Sequence, residues 1–162
     1  RNGPLHHHHV VSLEKDCRQT IRLLKDSLKG DEEILINFEE LPEILTVRTL
    51  LQNIFYNLLS NAIKFRSPER QLKVIATSRI EDGHAILEIT DNGLGFNLDL
   101  HHEKVFKLYR RFHAHVGGRG VGLYLIKTQV EVLHGSVEAA SEPDKGSVFR
   151  ILLPLSTEES LV

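Results

Sequence analysis

The segment QNIFYNLLSNAIKFR, from Gln52 to Arg66, decides the fold of this chain. Asn53, Asn57 and Asn61 recur at every fourth position of it and form a polar stripe along one side of a predicted helix. Asparagine costs a helix about half a kcal/mol relative to alanine, so a row of three needs a physical reason. The remaining positions carry apolar pairs spaced four apart, which give the helix a wide buried face: Leu50 with Leu51, Ile54 with Phe55, Leu58 with Leu59, and Ala62 with Ile63.

The asparagine stripe has two interpretations. It is either a solvated face, since polar side chains usually lie outside, or a functional row of amides. In the second case the amide oxygens and the ammonium group of Lys64, three residues further along, hold a hydrated Mg²⁺ ion and phosphate groups. Mg²⁺ prefers oxygen ligands and keeps several of its waters, which fits a row of amides better than a closed cage of ligands.

Composition indicates an ordinary soluble globular domain. The chain has 162 residues, of which 41% are hydrophobic and 26% charged, a length that suits one domain with a sizeable core. A net charge of −2 argues against general affinity for nucleic acid or an anionic membrane, and no apolar run is long enough to span a bilayer. The single cysteine, Cys17, excludes an internal disulfide and lies in a helical apolar pattern, so we interpret it as a core residue.

The two ends of the chain are set apart from the domain. The first nine residues, RNGPLHHHH, look like vector sequence and a purification tag, with a His-rich metal tract as the alternative. The native segment then starts near Val10 within a helical pattern, which suggests a domain excised from a longer protein. We expect the domain to occupy residues 10–155 and the acidic tail, residues 156–162, to fray.

Hydrophobic periodicity predicts one α/β domain with mostly antiparallel strands and helices stacked on one face. The central helix should end at Arg66, because Pro68 disfavours helical geometry in the residue before it. The other predicted helices and strands are a helix over 12–28 that stops at Gly30, strands over 34–38 and 44–47, a hairpin of strands over 72–80 and 84–90, a helix over 121–133, and strands over 136–140 and 147–153.

Two glycine-rich motifs flank the polar middle of the chain. DNGLGF, from Asp91 to Phe96, directly follows a predicted strand, and strand ends are where ligand sites of α/β proteins tend to lie. GGRGVGL, from Gly117 to Leu123, opens a helix, where glycines let the backbone approach phosphates. Each motif alone is weak evidence. The second motif is neither a Walker A loop nor a dinucleotide-binding fingerprint, because it lacks the Gly-Lys-Ser/Thr ending and a strand immediately before it.

The order of the motifs is more specific than any one of them. The asparagine helix, DNGLGF, VFKLYRRFH, GRGVGL and KGSVF follow one another along the chain. In this order the sequence resembles the catalytic and ATP-binding domain of bacterial sensor histidine kinases, within the superfamily that includes gyrase, Hsp90 and MutL. The resemblance covers Ser12 to Leu155, and the residues of the motifs are most similar to those of kinases that follow PAS-type sensor modules. It implies a two-layer α/β sandwich, the Bergerat ATP-binding fold, with a mixed, mostly antiparallel sheet.

The resemblance implies ATP and Mg²⁺ as cofactors and assigns roles to single residues. Asn61 would be the direct Mg²⁺ ligand, Asn57 would support the metal and the phosphates, and Lys64 would reach the phosphates. Asp91 would accept a hydrogen bond from the exocyclic amine of adenine. Other residues would shape the base pocket, line the triphosphate or anchor the lid over the nucleotide: Gly93, Gly95, Phe96, Phe106, Phe112, Gly118, Gly120, Gly122, Leu123, Gly146 and Ser147.

The lid would also carry a catalytic arginine, since Arg110 or Arg111 could meet the γ-phosphate, and we expect Arg111 in this role. One position separates reaction classes within the superfamily. Relatives that hydrolyse ATP carry a glutamate four residues before the metal-binding asparagine, whereas this chain has Asn57 there. Because an amide cannot act as a general base, water lacks an activator, and the resemblance implies transfer to an acceptor from outside.

That acceptor is missing from the sequence. None of the ten histidines lies in a motif of His followed by an acid and a nearby proline. His101, His102, His113 and His115 form either a metal cluster or, as we prefer, a solvated loop, because cysteine and carboxylate partners at ligand spacing are missing.

We therefore expect a monomeric cytoplasmic module without direct membrane contact, with the cytoplasmic part of a membrane-bound sensor as one alternative for its full-length protein. Its partners would be a dimerisation and histidine-acceptor domain of the same full-length protein and a response regulator. Two other functions stay open, a regulatory nucleotide-binding module without transfer and a serine kinase of the anti-sigma type.

Overall fold

The computed structural model describes residues 8–95 and 121–155. The helices and strands follow one another in the order that the hydrophobic pattern predicts, with one additional strand at the beginning. In chain order the elements are β1 (His8–Ser12), α1 (Leu13–Leu23), β2 (Glu33–Asn37), β3 (Glu43–Val47), α2 (Arg48–Lys64), β4 (Lys73–Glu81), β5 (His84–Asp91), α3 (Val121–Val132), β6 (Ser136–Glu142) and β7 (Gly146–Pro154).

The main sheet has five strands in the order β2, β4, β5, β7 and β6. Strand β2 runs parallel to β4, and the other neighbours are antiparallel, so the mixed, mostly antiparallel sheet is confirmed. Strands β4 and β5 form the predicted hairpin, with Asp82 and Gly83 at φ of 51° and 75° in its turn. An Asp-Gly turn of this kind matches the twist of the two strands. Strands β1 and β3 pair separately.

The helices cover one face of this sheet, as expected for a two-layer α/β sandwich. Helix α2 is central and packs against both α1 and α3, and its Leu51 and Ile54 are fully buried. Strand β4 alternates, with Val74 and Ala76 buried under the helices and Ile75 42% exposed on the other face. No helix in the described ranges has the length and apolar character needed to cross a bilayer.

Two predictions about the beginning of the chain were wrong. Val10 lies in strand β1 rather than in a helical pattern, because Val11 packs inward and Val10 outward while both pair with β3. Helix α1 begins after its predicted cap, Ser12, whose Oγ accepts from the amide of Lys15 at 3.4 Å. It ends at Leu23 rather than Leu28, because the next residues form a tighter 3₁₀ turn over Lys25–Ser27. Cys17 is fully buried, as expected of a core residue.

Candidate functional site

The asparagine stripe on α2 passes from solvent into the protein. Asn53 is exposed, Asn57 is half-buried, and Asn61 is only 5% exposed near the end of the helix. The Nδ2 group of Asn61 has no hydrogen-bond partner among the described residues. Buried polar groups are normally paired, and an unpaired one costs about 1–3 kcal/mol. The amide of Asn61 is therefore a candidate ligand-binding group.

The carboxyl group of Asp91 lies at the end of β5, where it accepts hydrogen bonds from two backbone amides. The amide of Gly93 donates to Oδ1 at 2.9 Å, and the amide of Ser147 on β7 donates as well. Burial outweighs both bonds and raises the pKa of Asp91 to about 6. At neutral pH the group is a half-buried carboxylate that can still accept a hydrogen bond from a donor in a ligand.

The end of α2 meets the loop that follows Asp91. The amide of Leu94 donates to the carbonyl of Phe65 at 2.9 Å, and the amide of Phe65 donates in turn to the carbonyl of Asn61 at 3.0 Å. A Cβ atom on Gly93 would lie 2.6 Å from the Phe65 carbonyl oxygen, so only glycine permits this approach. The fold thus brings Asn61 and Asp91 to the same end of the molecule, with the exposed Lys64 beside them.

The turn between β6 and β7 forms the wall on the other side of Asp91. Gly146 has a φ of +99°, and a Cβ atom there would collide with the carbonyl oxygen of Asp91. Gly95 has a φ of +64°, and a Cβ atom on it would collide with the carbonyl oxygen of Glu142. The Oγ atom of Ser141 donates to the Gly146 carbonyl at 2.8 Å and lies 2.9 Å from the Oγ atom of Ser147. Gly146 and Ser147 therefore lie against Asp91, and their assigned role in shaping the base pocket stays a prediction.

Comparison with known proteins shows the family of this chain. Residues 46–157 match the family model described as histidine kinase-, DNA gyrase B-, and HSP90-like ATPase. The chain belongs to this family.

Two curated relatives and one solved structure show where in the family the similarity lies. Cyanobacterial phytochrome A of Nostoc sp. is 31% identical over 126 residues, which are 76% of this chain and 16% of that protein. Sensor histidine kinase TmoS of Ectopseudomonas mendocina is 30% identical over 156 residues, 89% of this chain and 16% of that protein. The crystal structure of full-length ShkA in complex with AMPPNP is 25% identical, with a TM-score of 0.77 over 96% of this chain and 32% of that one. The chain thus spans about a sixth of the length of these curated relatives.

Several residues to which we assigned roles from the sequence lie outside the described residues. Gly122 and Leu123 do lie within them, in the first turn of α3, but their roles stay predictions. The roles assigned to the lid and to the start of the second glycine motif are untested, as are the assignments of the loop histidines and of the tail 156–162. The residues concerned are Phe96, Phe106, Arg110, Arg111, Phe112, Gly118, Gly120, His101, His102, His113 and His115.

Sequence reasoning missed two residues that hold the loop after Asp91. The side chain of Asn92 accepts from the amide of Lys73 at 2.8 Å and donates to the carbonyl of Gln71 at 2.9 Å, which fixes the loop to β4. Arg70 contacts the same loop through its guanidinium group. No signal in the sequence pointed to Arg70, because a single arginine in a turn before a strand is normally a solvated side chain.

The described residues fit Mg²⁺ better than a metal that needs a preformed cage. Among these residues no group of three or more His, Cys, Asp or Glu side chains could hold a metal ion. What α2 offers instead is the buried side chain of Asn61, with the half-buried Asn57 one turn before it. The Nδ2 group of Asn61, unpaired in the described ranges, suits a phosphate oxygen, and its Oδ1 atom suits a cation. Neutral amide oxygens suit a hard cation that keeps most of its waters and takes further ligands from phosphates.

Proposed function

We propose that this domain binds ATP together with Mg²⁺ and transfers the γ-phosphoryl group to a histidine on a dimerisation and acceptor domain of its full-length protein. A response regulator would then take the phosphoryl group from that histidine. The observation that carries the proposal is the buried side chain of Asn61, whose Nδ2 donor has no partner among the described residues, on a helix whose end is bonded to the loop after Asp91. The relative named a sensor histidine kinase supports the choice of reaction.

In this proposal each residue has one task. Asn61 and Asn57 hold Mg²⁺, which neutralises phosphate charge when bound, and Lys64 contributes a positive charge at the same end of α2. Asp91 accepts a hydrogen bond from the exocyclic amine of adenine, and Gly93 leaves room for the base. Such a site works by positioning and charge neutralisation rather than by covalent chemistry.

The helix α3 is suited to meet the phosphates. Gly135, just after α3, packs against Leu152 and Leu153, near the far end of β7 from Ser147 and Asp91. The helix is buried through Ile126 and Val130 between these ends, so we infer that its amino end is directed toward Asp91. A helix amino end presents free N–H groups and a positive dipole, which favours phosphate.

The side chain of Asn57 supports transfer over hydrolysis. The ATP-hydrolysing members of the superfamily carry a glutamate at this position, and an amide cannot take a proton from water as that glutamate does. We therefore expect slow ATP hydrolysis by the isolated domain and rapid transfer once an acceptor is supplied.

The test is to mix the domain with a separately made acceptor domain of the full-length protein and ATP labelled in its γ-phosphate. The expected product is an acid-labile phosphohistidine on the acceptor, formed also by Asn53→Ala but not by Asn61→Ala. An acid-stable product would indicate a serine kinase instead. Binding of Mg·ATP without any labelled product would indicate a regulatory nucleotide-binding module and overturn the proposed transfer.

A further inference from the structure

Arg70, in the turn between α2 and β4, joins two distant segments through its guanidinium group. Its Nε donates to the Asn92 carbonyl at 2.7 Å, and its Nη2 donates to the Gly93 carbonyl at 2.7 Å. The same Nη2 donates to the Asp144 carbonyl at 2.9 Å, and Nη1 donates to the Asp144 carboxylate at 3.1 Å. One side chain thus makes four hydrogen bonds to segments 22 to 74 residues away in sequence.

These two segments lie on either side of Asp91, and we call them the two walls. Asn92 and Gly93 begin the loop that follows it, and Asp144 lies in the turn between β6 and β7. The walls also contact each other directly, because the amide of Asp144 donates to the carbonyl of Leu94 at 2.6 Å. Since the Gly93 amide donates to the Asp91 carboxylate, any shift of this loop changes where that carboxylate points.

The turn between β6 and β7 needs such support. Asp144 has a φ of 61°, a left-handed conformation that costs a non-glycine residue free energy. The ion pair itself contributes little, because the Asp144 side chain is 71% exposed and that of Arg70 31%. The three bonds from Arg70 to main-chain carbonyls hold the walls together in addition to their direct contact through Asp144 and Leu94. The planar guanidinium group of an arginine carries five N–H donors and can bond all three carbonyls at once, whereas a lysine ammonium group cannot.

We propose that Arg70 is a positioning residue for recognition of the base, an inference that rests on the proposed function. By fixing the separation of the two walls, it holds the Asp91 carboxylate where it meets the exocyclic amine of adenine. Guanine presents a carbonyl oxygen at that position and is repelled by a fixed carboxylate. Arg70 therefore contributes to the preference for adenine over guanine nucleotides without touching the nucleotide.

The test compares the affinities of Mg·ADP and Mg·GDP for the unsubstituted domain, Arg70→Gln and Arg70→Lys by calorimetry. The loss of charge-assisted bonds to the loop should weaken Mg·ADP binding about tenfold. Binding of Mg·GDP should change by less than about twofold, so the ratio of the two affinities falls. Arg70→Lys should recover little of the ratio, because one ammonium group cannot replace the guanidinium group.

Arg66→Gln is the matched control. Arg66 lies four residues earlier and pairs with Glu32 at 2.5 Å and Asp31 at 3.4 Å, neither of which belongs to the two walls. Its loss should lower the melting temperature but leave the ratio of affinities unchanged.

Two results would overturn the role of Arg70. One is an unchanged ratio in Arg70→Gln, whether both affinities stay the same or fall equally, and the other is the same fall in the ratio for Arg66→Gln. Failure of the unsubstituted domain to bind Mg·ADP would instead overturn the proposed function, and the positioning role with it.

Discussion

The side chain of Asn61 combines a structural cost with a proposed functional gain. Its amide is buried on α2, and Nδ2 finds no partner within the described ranges, whereas Asn53 two turns earlier is exposed. The two asparagines thus share a helix and a stripe but not an environment. This difference allows a matched pair of substitutions.

Asn61→Ala should abolish binding of Mg·ATP with little loss of stability. The substitution removes the proposed ligand and also a buried donor whose missing bond costs about 1–3 kcal/mol. Asn53→Ala should bind normally and unfold at a slightly higher temperature, because alanine favours the helix by about half a kcal/mol. Calorimetric titration and thermal unfolding of both variants measure these effects. Normal binding by Asn61→Ala would exclude the amide from the site.

The raised pKa of Asp91 makes two pH dependences testable. Burial raises the pKa of Asp91 from 3.8 to about 6 in the folded domain, so the fold favours the protonated form. Its contribution to stability is then present below pH 3.8 and is lost as the pH rises through about 6. Asp91→Asn should remove this contribution, so the gap in stability between the variant and the unsubstituted domain should widen in favour of the variant from pH 4 to pH 7.

Nucleotide binding should have the opposite pH dependence, because the charged carboxylate accepts from the adenine amine more strongly than the protonated acid does. Affinity for ADP should fall by about tenfold per pH unit as the pH drops below the pKa of the free group. Asp91→Asn should bind ADP weakly at all pH values, and its affinity should lack this dependence on pH. Titrations at several pH values measure it, and parallel profiles for the two proteins would contradict the role of Asp91.

The elements around the site are held together by close backbone approaches that only glycine permits. Gly146 starts β7 with a φ of +99° and lies against the Asp91 carbonyl. Gly83 also has a positive φ, +75°, but a Cβ atom on it would meet nothing within 4 Å. Comparing Gly146 with Gly83 therefore separates the free-energy cost of a positive φ from that of a steric collision.

Gly146→Ala should therefore destabilise the domain by more than Gly83→Ala and should also abolish nucleotide binding. For Gly83→Ala we expect a loss of about 1 kcal/mol from the positive φ alone, with normal binding. Denaturant unfolding and nucleotide titration of the two variants check this. Equal losses of stability would show that the contact between β7 and the end of β5 is not as close as described.

For the whole molecule, periodicity predicted nearly all elements because each has a strong apolar pattern, as in α2 and the hairpin of β4 and β5. The ends of elements were less predictable. Strand β1 depends on pairing with β3, and α1 tightens into a 3₁₀ turn, neither of which periodicity reports. Asn61 and Asp91 could be proposed as site residues from the sequence because each lies in a recognisable motif, and their roles stay predictions. Arg70 was not, because its role exists only once two distant segments meet beside it.

The central claim is that the amide row of α2 and the acidic end of β5 belong to one nucleotide site. An NMR titration of the labelled domain with Mg·AMPPNP tests it most directly, by following the side-chain amide of Asn61 and the backbone amides of Gly93 and Leu94. Our account predicts that all three signals shift together and give one dissociation constant. Shifts at only one of the two places, or different constants for them, would contradict it.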